Sequence, residues 1–225
     1  MPTTVVAVEL RPAVEASPAD SVDPLVAWQH AHKSGLKWSA PIHSGSAHFD
    51  EAYNLGEVIG HGAFGQVHSS SHRRTGAAVA TKVITIPDHV ARGPKAGLHA
   101  YEDVIRRELK TMGRLAHPNI ISLIESFSPD EGARPREWRI VLELCAGCEL
   151  QKLVEAHGAL ELEDVRVIAA QLCSAILHMH ANGVVHRDIK PANIMVLGAE
   201  LTGTHTCIKV PYNYPYPPPP VKSRT

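Results

Sequence analysis

No stretch of this 225-residue chain stays apolar for the roughly 18 residues that a membrane-spanning helix requires. The N-terminus has no basic segment leading into an apolar one, as a secretory signal does, and Glu9, Glu15, Asp20 and Asp23 depart from an acid-poor transit peptide. A charge imbalance is missing as well: 22 Lys and Arg face 23 Asp and Glu, for a net charge of -1. Electrostatics therefore give no reason to expect nucleic acid or a membrane surface as a partner. With only four cysteines the chain is no disulfide framework, which fits a reducing cytoplasmic or nuclear setting. Internal repeats are absent too.

Hydrophobic residues make up 44% of the chain and charged ones 20%, a globular composition with material for a sizeable core. Residues 1–52 are rich in Ala, Pro, Ser and His and predict one short helix. Asp23 can cap it, Pro24 suits its first position, and Gly35 can end it after Lys33. The remainder of that extension reads as irregular. From Tyr53 the texture changes. "YNLGEVIG", "QVHSSSH" and "AAVATKVITI" predict three strands, joined by a glycine-rich turn and by "RRTG". A helix follows around Leu98 to Leu115, then the strands "IISLIESF" and "EWRIVLEL", a short helix near Leu150 to His157, and a long helix ending at Gly183. The long helix carries Val165, Ile168, Leu172 and Ile176 as its expected buried arc. Three strands precede the first of these helices, so the pattern is α+β and not alternating βαβ.

"IGHGAFGQV" carries Gly60-x-Gly62-x-x-Gly65-x-Val67. A dinucleotide fold needs a helix to open at the last glycine, and here a strand follows. A Walker loop needs Lys after that glycine, and Gln66 stands there. An ordinary glycine-containing hairpin stays open at this point. In "YEDVIRRELKTMGRL", Tyr101, Val104, Ile105, Leu109, Met112 and Leu115 share an apolar arc, and Glu108 projects near its middle. A lone buried carboxylate costs several kcal/mol or stays neutral, so a cation is expected beside it, with Lys82 as the candidate. A helix rotated so that Glu108 is solvated is the other possibility.

"HRDIKPANI" contains His186-Arg187-Asp188-x-Lys190-x-x-Asn193 and resembles the catalytic loop of the eukaryotic protein kinases, serine/threonine type. The glycine turn, the "VATK" lysine, the helix glutamate and this loop then stand in that family's order, over about Tyr53 to Val210. The resemblance implies a kinase-like α+β fold with a small lobe at residues 53–144 and the first part of a helical large lobe at 145–210. An extension at 1–52 and a proline-rich tail at 211–225 flank them. It implies ATP and Mg2+ as cofactors and a protein hydroxyl as substrate. Gly60, Gly62 and Gly65 cover the phosphates, Val67 packs on the adenine, and Lys82, fixed by Glu108, holds the inner phosphates. Glu143 and Cys145 present hinge backbone to the adenine beside the gatekeeper Leu142, and Glu149 meets the ribose. Asp188 accepts the substrate proton, Lys190 offsets phosphoryl charge, and Asn193 binds a metal ion.

Two further patterns compete for attention. Cys145-x-x-Cys148 has metal or redox spacing but no second pair. His178-x-His180 with His186 could suggest a metal site, but these positions end a helix and open the loop, which favours solvated or structural histidines. The family departs after "CIKV". That stretch alternates like a half-buried strand and leads, by resemblance, to Asp-Phe-Gly, whose aspartate holds magnesium. Here Pro211, Tyr212 and Asn213 follow. The resemblance therefore implies a truncated kinase, with a non-catalytic nucleotide-binding or scaffold fragment as the alternative. Pro217, Pro220 and Lys222 fit a ligand for SH3-type domains.

Overall fold

Between Tyr53 and Thr85 a run of β-branched and small residues folds as three antiparallel strands, and the sheet is extended from there. The computed structural model describes residues 24–33, 40–45, 47–62, 65–197 and 206–212. In chain order these form α1 (Pro24–Lys33), β1 (Ile42–His43), α2 (Ala47–Ala52), β2 (Tyr53–Gly62), β3 (Gly65–His72), β4 (Ala78–Thr85), α3 (Asp88–Ala91) and α4 (Lys95–Met112). Then come β5 (Leu123–Phe127), β6 (Glu137–Glu143), β7 (Gly147–Glu149), α5 (Leu150–His157), α6 (Leu162–Ala181), a 3-10 turn (Pro191–Asn193), β8 (Met195–Leu197) and β9 (Cys207–Lys209). No helix among the described residues is long and apolar enough to cross a membrane.

Six strands form one sheet in the order β1-β5-β6-β4-β3-β2, antiparallel throughout except where β1 runs parallel to β5. Successive side chains of a strand point to opposite faces, and here both faces are covered. Leu123, Ile140 and Ile84 meet Ile105 and Leu109 of α4 on one face. Ile124, Val141 and Val79 meet Leu25, Phe49, Tyr53 and Phe127 on the other. The sheet therefore has no wet side at β5, whose five residues are all buried.

The second cover is the surprise of the fold. The sequence predicts one helix before Tyr53, and α1 lies there. It does not predict β1 or α2. Two residues are too short for a period-two pattern, and β1 is held instead by its partner: Ser126 N donates to Pro41 O at 3.0 Å and Ser128 N to His43 O at 3.0 Å. His43 Nε2 lies 2.7 Å from the buried Glu125, which also accepts from the Tyr53 hydroxyl.

The helical part packs around Ile168, Ala175 and Met179 of α6, with Leu150, Leu153, Val184, Ile194, Val196, Ile208 and Val210. β7, β8 and β9 make a small antiparallel sheet at its edge. The expected arc of α6 is partly corrected. Ile168 is buried and Leu172 packs against the core, but Val165 is 45% exposed and Asp164 is buried in its stead. The Asp164 carboxylate accepts from the Thr206 hydroxyl at 3.0 Å, which turns that side of the helix toward the chain entering β9. β9 is more buried than a half-buried strand: Ile208 and Lys209 are shielded from water, as is Val210 just beyond it, and Cys207 is partly so. The connection before β9 and the tail from residue 213, with Pro217, Pro220 and Lys222, lie outside the described residues.

Candidate active site

A cavity of about 290 Å³ opens between the larger sheet and the helical part. Its roof is the β2–β3 hairpin. Gly60 pairs with Val67 and Gly62 with Gly65 across the turn, while the tip at residues 63–64 is not described. Gly65 has φ +149° and a Cβ there would lie 1.9 Å from the Val83 carbonyl oxygen, so β4 itself demands glycine. A Cβ at Gly60 would meet Val67 at an ordinary 3.9 Å. Sterics within the protein do not require glycine at position 60.

Lys82 lies in β4 opposite Val67 and Ile140, and all three line the cavity. Burial lowers its pKa from the usual lysine range. Glu108 on α4 also lines the cavity, and the expected Lys82–Glu108 pair is corrected: no ion pair joins them among the described residues. The Tyr212 hydroxyl donates to Glu108 Oε2 at 3.3 Å instead. Burial pushes the Glu108 carboxyl above the usual range, and this hydrogen bond and the Arg187 charge oppose the shift. A partner for this carboxylate is therefore present, but it is neutral.

Leu142, Glu143 and Cys145, at the connection from β6 to β7, line the cavity's inner wall. The Glu143 side chain turns away into a buried ion pair with Lys209, whose Nζ lies 2.7 Å from its carboxylate. Burial, with the neighbouring Glu143 charge, pushes the Cys145 thiol up to about 12, which makes it inert. Cys145 and Cys148 are free thiols, and no three His, Cys, Asp or Glu gather as metal ligands among the described residues. Glu149 stands at the outer lip, 3.2 Å from Lys152. His178 packs its ring near His117, 5.1 Å between centroids.

The loop from Val184 to Ile194 is pinned at both ends, since those two side chains are buried in the helical core. His186 is buried too. Its Nε2 donates to Pro211 O at 2.7 Å, and its Nδ1 accepts from Asp188 N at 3.3 Å. The ring thereby ties the loop to the chain leaving β9. Arg187 between them has φ 67°, a conformation that non-glycine residues hold only where the surroundings enforce it. Asp188 Oδ2 accepts from Lys190 Nζ at 3.0 Å and from Asn193 Nδ2 at 2.7 Å. These two donors hold its carboxyl below the usual range. Of the sequence-predicted residues, Gly60, Val67, Lys82, Glu108, Glu143, Cys145 and Glu149 line the cavity, while Asp188, Lys190 and Asn193 form a separate cluster on the loop. Two that the sequence did not single out by role, Lys209 and Tyr212, complete the contacts.

Residues 53–209 match the family model described as the protein kinase domain. This chain belongs to the protein kinase family. It is similar to the serine/threonine-protein kinase PknB of Mycobacterium leprae (strain TN), 33% identical over 149 residues, or 66% of this chain and 23% of that protein. It is also similar to the putative CBL-interacting protein kinase 27 of Oryza sativa subsp. japonica, 37% identical over 144 residues, covering 64% of this chain and 33% of that one. The chain spans a third or less of the length of these curated relatives. Among solved structures, a twitchin kinase fragment from C. elegans aligns with TM-score 0.60 and 28% identity over 77% of this chain and 35% of that one. Rad53 residues 1–466 in complex with AMP-PNP aligns with TM-score 0.58 and 28% identity over 73% of this chain and 39% of that one.

The family implies ATP and a divalent metal. Magnesium is held by one or two carboxylates together with substrate phosphates, in near-ideal octahedral geometry. Here both contacts of Asn193 run through Nδ2 to Asp188, which leaves its Oδ1 to face a cation, but Tyr212, two residues past Val210, faces Glu108. The residues that follow β9, Pro211 and Tyr212, bring a ring and a neutral phenol and no carboxylate. The donor set does not fit the metal.

Proposed function

We propose that this chain is the adenine-nucleotide-binding and catalytic-loop part of a serine/threonine protein kinase. The observation that carries this is the Asp188–Lys190–Asn193 cluster, on the loop that His186 ties to Pro211, which itself lines the cavity with Lys82. On this reading residues 53–144 act as the small lobe and 145–210 as the first part of the large lobe. Glu143 and Cys145 offer backbone groups to the adenine, Val67 packs on its face, and Glu149 meets the ribose. In the whole protein Asp188 takes the proton of the substrate hydroxyl as its oxygen bonds to the γ-phosphorus. The bond to the β-phosphate breaks, and Lys190 offsets the charge. The AMP-PNP complex of the similar Rad53 structure supports a nucleotide as the ligand.

Transfer itself is expected to be poor in this chain. Loss of even ~4 kcal/mol of charge stabilisation slows a step by roughly 10³-fold. Radiolabelled ATP with magnesium and a generic serine/threonine peptide tests this. No transfer above background is expected. Turnover at ordinary kinase rates that vanishes in Asp188→Asn would show that the metal donors fit after all.

A further inference from the structure

Pro211 and Tyr212 both line the cavity, and the chain reaches them directly from β9. What holds β9 in place is a buried asparagine in the connection from α4 to β5. The Asn119 carbonyl accepts from Val210 N at 2.9 Å, and its side-chain nitrogen donates to Ile208 O at 2.9 Å. The same nitrogen donates to Gln171 Oε1 of α6 at 2.7 Å, and that oxygen also accepts from Ile208 N at 2.9 Å. One residue thus joins the connection, α6 and β9. Val210 O accepts in turn from Ile121 N at 3.0 Å.

His117 sets the turn in which Asn119 sits. Its Nδ1 accepts from Asn119 N at 3.1 Å, two residues on, as the side-chain oxygen does in an Asx turn. Its Nε2 lies 3.0 Å from the Ser174 hydroxyl of α6. A ring nitrogen that accepts a backbone N–H carries no proton, so the ring is neutral, with its hydrogen on Nε2 donating to Ser174 Oγ. A second proton enters only at Nδ1, where it faces the Asn119 N–H as donor against donor. The groups around the ring act in the same direction. His178 of α6 stands 5.1 Å away between centroids, and Lys209 of β9, itself paired with Glu143, adds its charge. Among the described residues no carboxylate acts on the ring. Burial first, then the His178 and Lys209 charges, hold its pKa below the usual histidine range.

We propose that His117 is a proton-sensitive positioning residue for the nucleotide cleft. While neutral it seats Asn119, which holds Val210 and so sets Pro211 and Tyr212 against the cavity; a proton at Nδ1 releases that support. The proposal rests on the nucleotide reading of the cleft given above. Its sign follows from the acceptor: the support is complete above the ordinary histidine range, about pH 6.5, and is lost as pH falls from there through the lowered value.

Isothermal titration of the full chain with ATP at about pH 7.5 and about pH 5.5 tests the proposal. Binding is expected to weaken about fivefold at the acid pH, the size of one lost hydrogen bond. His117→Asn offers a neutral Oδ1 to the Asn119 N–H at either pH. It is expected to bind within about twofold of the unaltered chain at about pH 7.5 and to abolish the acid loss. His117→Ala has no acceptor and is expected to bind about fivefold more weakly at about pH 7.5. Titration of ATP itself and of the other histidines is common to all three chains and cancels in their ratios. An acid loss as large in His117→Asn as in the unaltered chain, or none in either, would show that His117 is not the sensor. Normal binding by His117→Ala would show that it positions nothing; should that variant fail to fold, the comparison with His117→Asn decides. If ATP binds at neither pH, the nucleotide reading falls, and amide exchange still decides the support. Val210 N–H is expected to lose protection at acid pH in the unaltered chain relative to His117→Asn, and equal protection in both overturns the proton-sensitive support.

Discussion

Lys209 enters β9 as a cation almost out of reach of water: its side chain is 7% exposed, and that of its partner Glu143 is 17% exposed. Ser122 holds the same glutamate by its backbone, with N–H to the carboxylate at 3.3 Å and its carbonyl accepting from Glu143 N at 3.0 Å. Removing one member of a buried pair strands the other charge and costs about 3–5 kcal/mol, whereas replacing both by apolar groups is often neutral. We expect Lys209→Ala to lose about 3 kcal/mol in urea unfolding and Lys209→Met with Glu143→Leu to recover most of it. Full additivity of the two single losses would show that the pair does not act as a unit. Glu108 poses the opposite case. Its folded pKa is raised by burial, so the fold favours the protonated acid and is penalised once the carboxyl ionises. Glu108→Gln removes that penalty. It is expected to raise Tm at neutral pH, with the gain fading as pH falls through the raised value toward the ordinary glutamate range. A gain that grows toward acid pH would reverse the sign of the argument. Neither partner was legible in the sequence. The glycine turn and the catalytic loop are residue types at fixed short offsets, but Lys209 finds Glu143 across 66 residues and Tyr212 finds Glu108 across 104.

At the scale of elements, periodicity located what was long and missed what was short. β2 to β6 and α4 to α6 fall where alternation or helical spacing places them, because each buries a repeated pattern. α6 shows how such a pattern can mislead. The expected arc of Val165, Ile168, Leu172 and Ile176 is displaced by roughly 45° at about 100° per residue from the face that is buried. It averaged two apolar stripes, the buried one through Ile168 and Ala175 and an exposed one through Leu162, Val165 and Leu177. The N-terminal segment was misjudged for another reason: its order comes from the sheet it covers. Leu25 of α1 is 1% exposed, among Phe49, Tyr53 and Phe127. Arg139 stacks over Phe49 at 4.9 Å and bonds Asp50 at 2.6 Å, which fastens α2 to β6. We therefore expect Leu25→Ala, although it precedes the family match, to cost about 2–3 kcal/mol in denaturant unfolding. An effect within about 0.5 kcal/mol, as at an ordinary surface site, would mean that α1 does not dock in solution.

At the scale of the molecule, the apolar stripe left on α6 governs behaviour in solution. Leu162 is 65% exposed, Val165 45% and Leu177 68%, and Val185 and Ile189 of the following loop add 57% and 40%. Single exposed apolar residues are commonplace, but Leu162, Val165 and Leu177 fall within about 120° of one another around one 20-residue helix. A net charge of -1 gives little electrostatic repulsion to keep two such surfaces apart. Each of these side chains has about 1.5–3 kcal/mol to gain from being fully covered. Self-association and binding of a hydrophobic dye follow directly. Sedimentation velocity should show species heavier than 24.4 kDa that grow with concentration. Val165→Lys together with Leu177→Glu places opposite charges on the stripe without touching the buried side of α6. The pair should return the chain to a monomer and quench the dye while leaving adenine-nucleotide binding in place. If the unaltered chain sediments as a single monomer with no dye signal, the stripe is covered by the chain itself. If the charged variant still associates, the contact lies on another face.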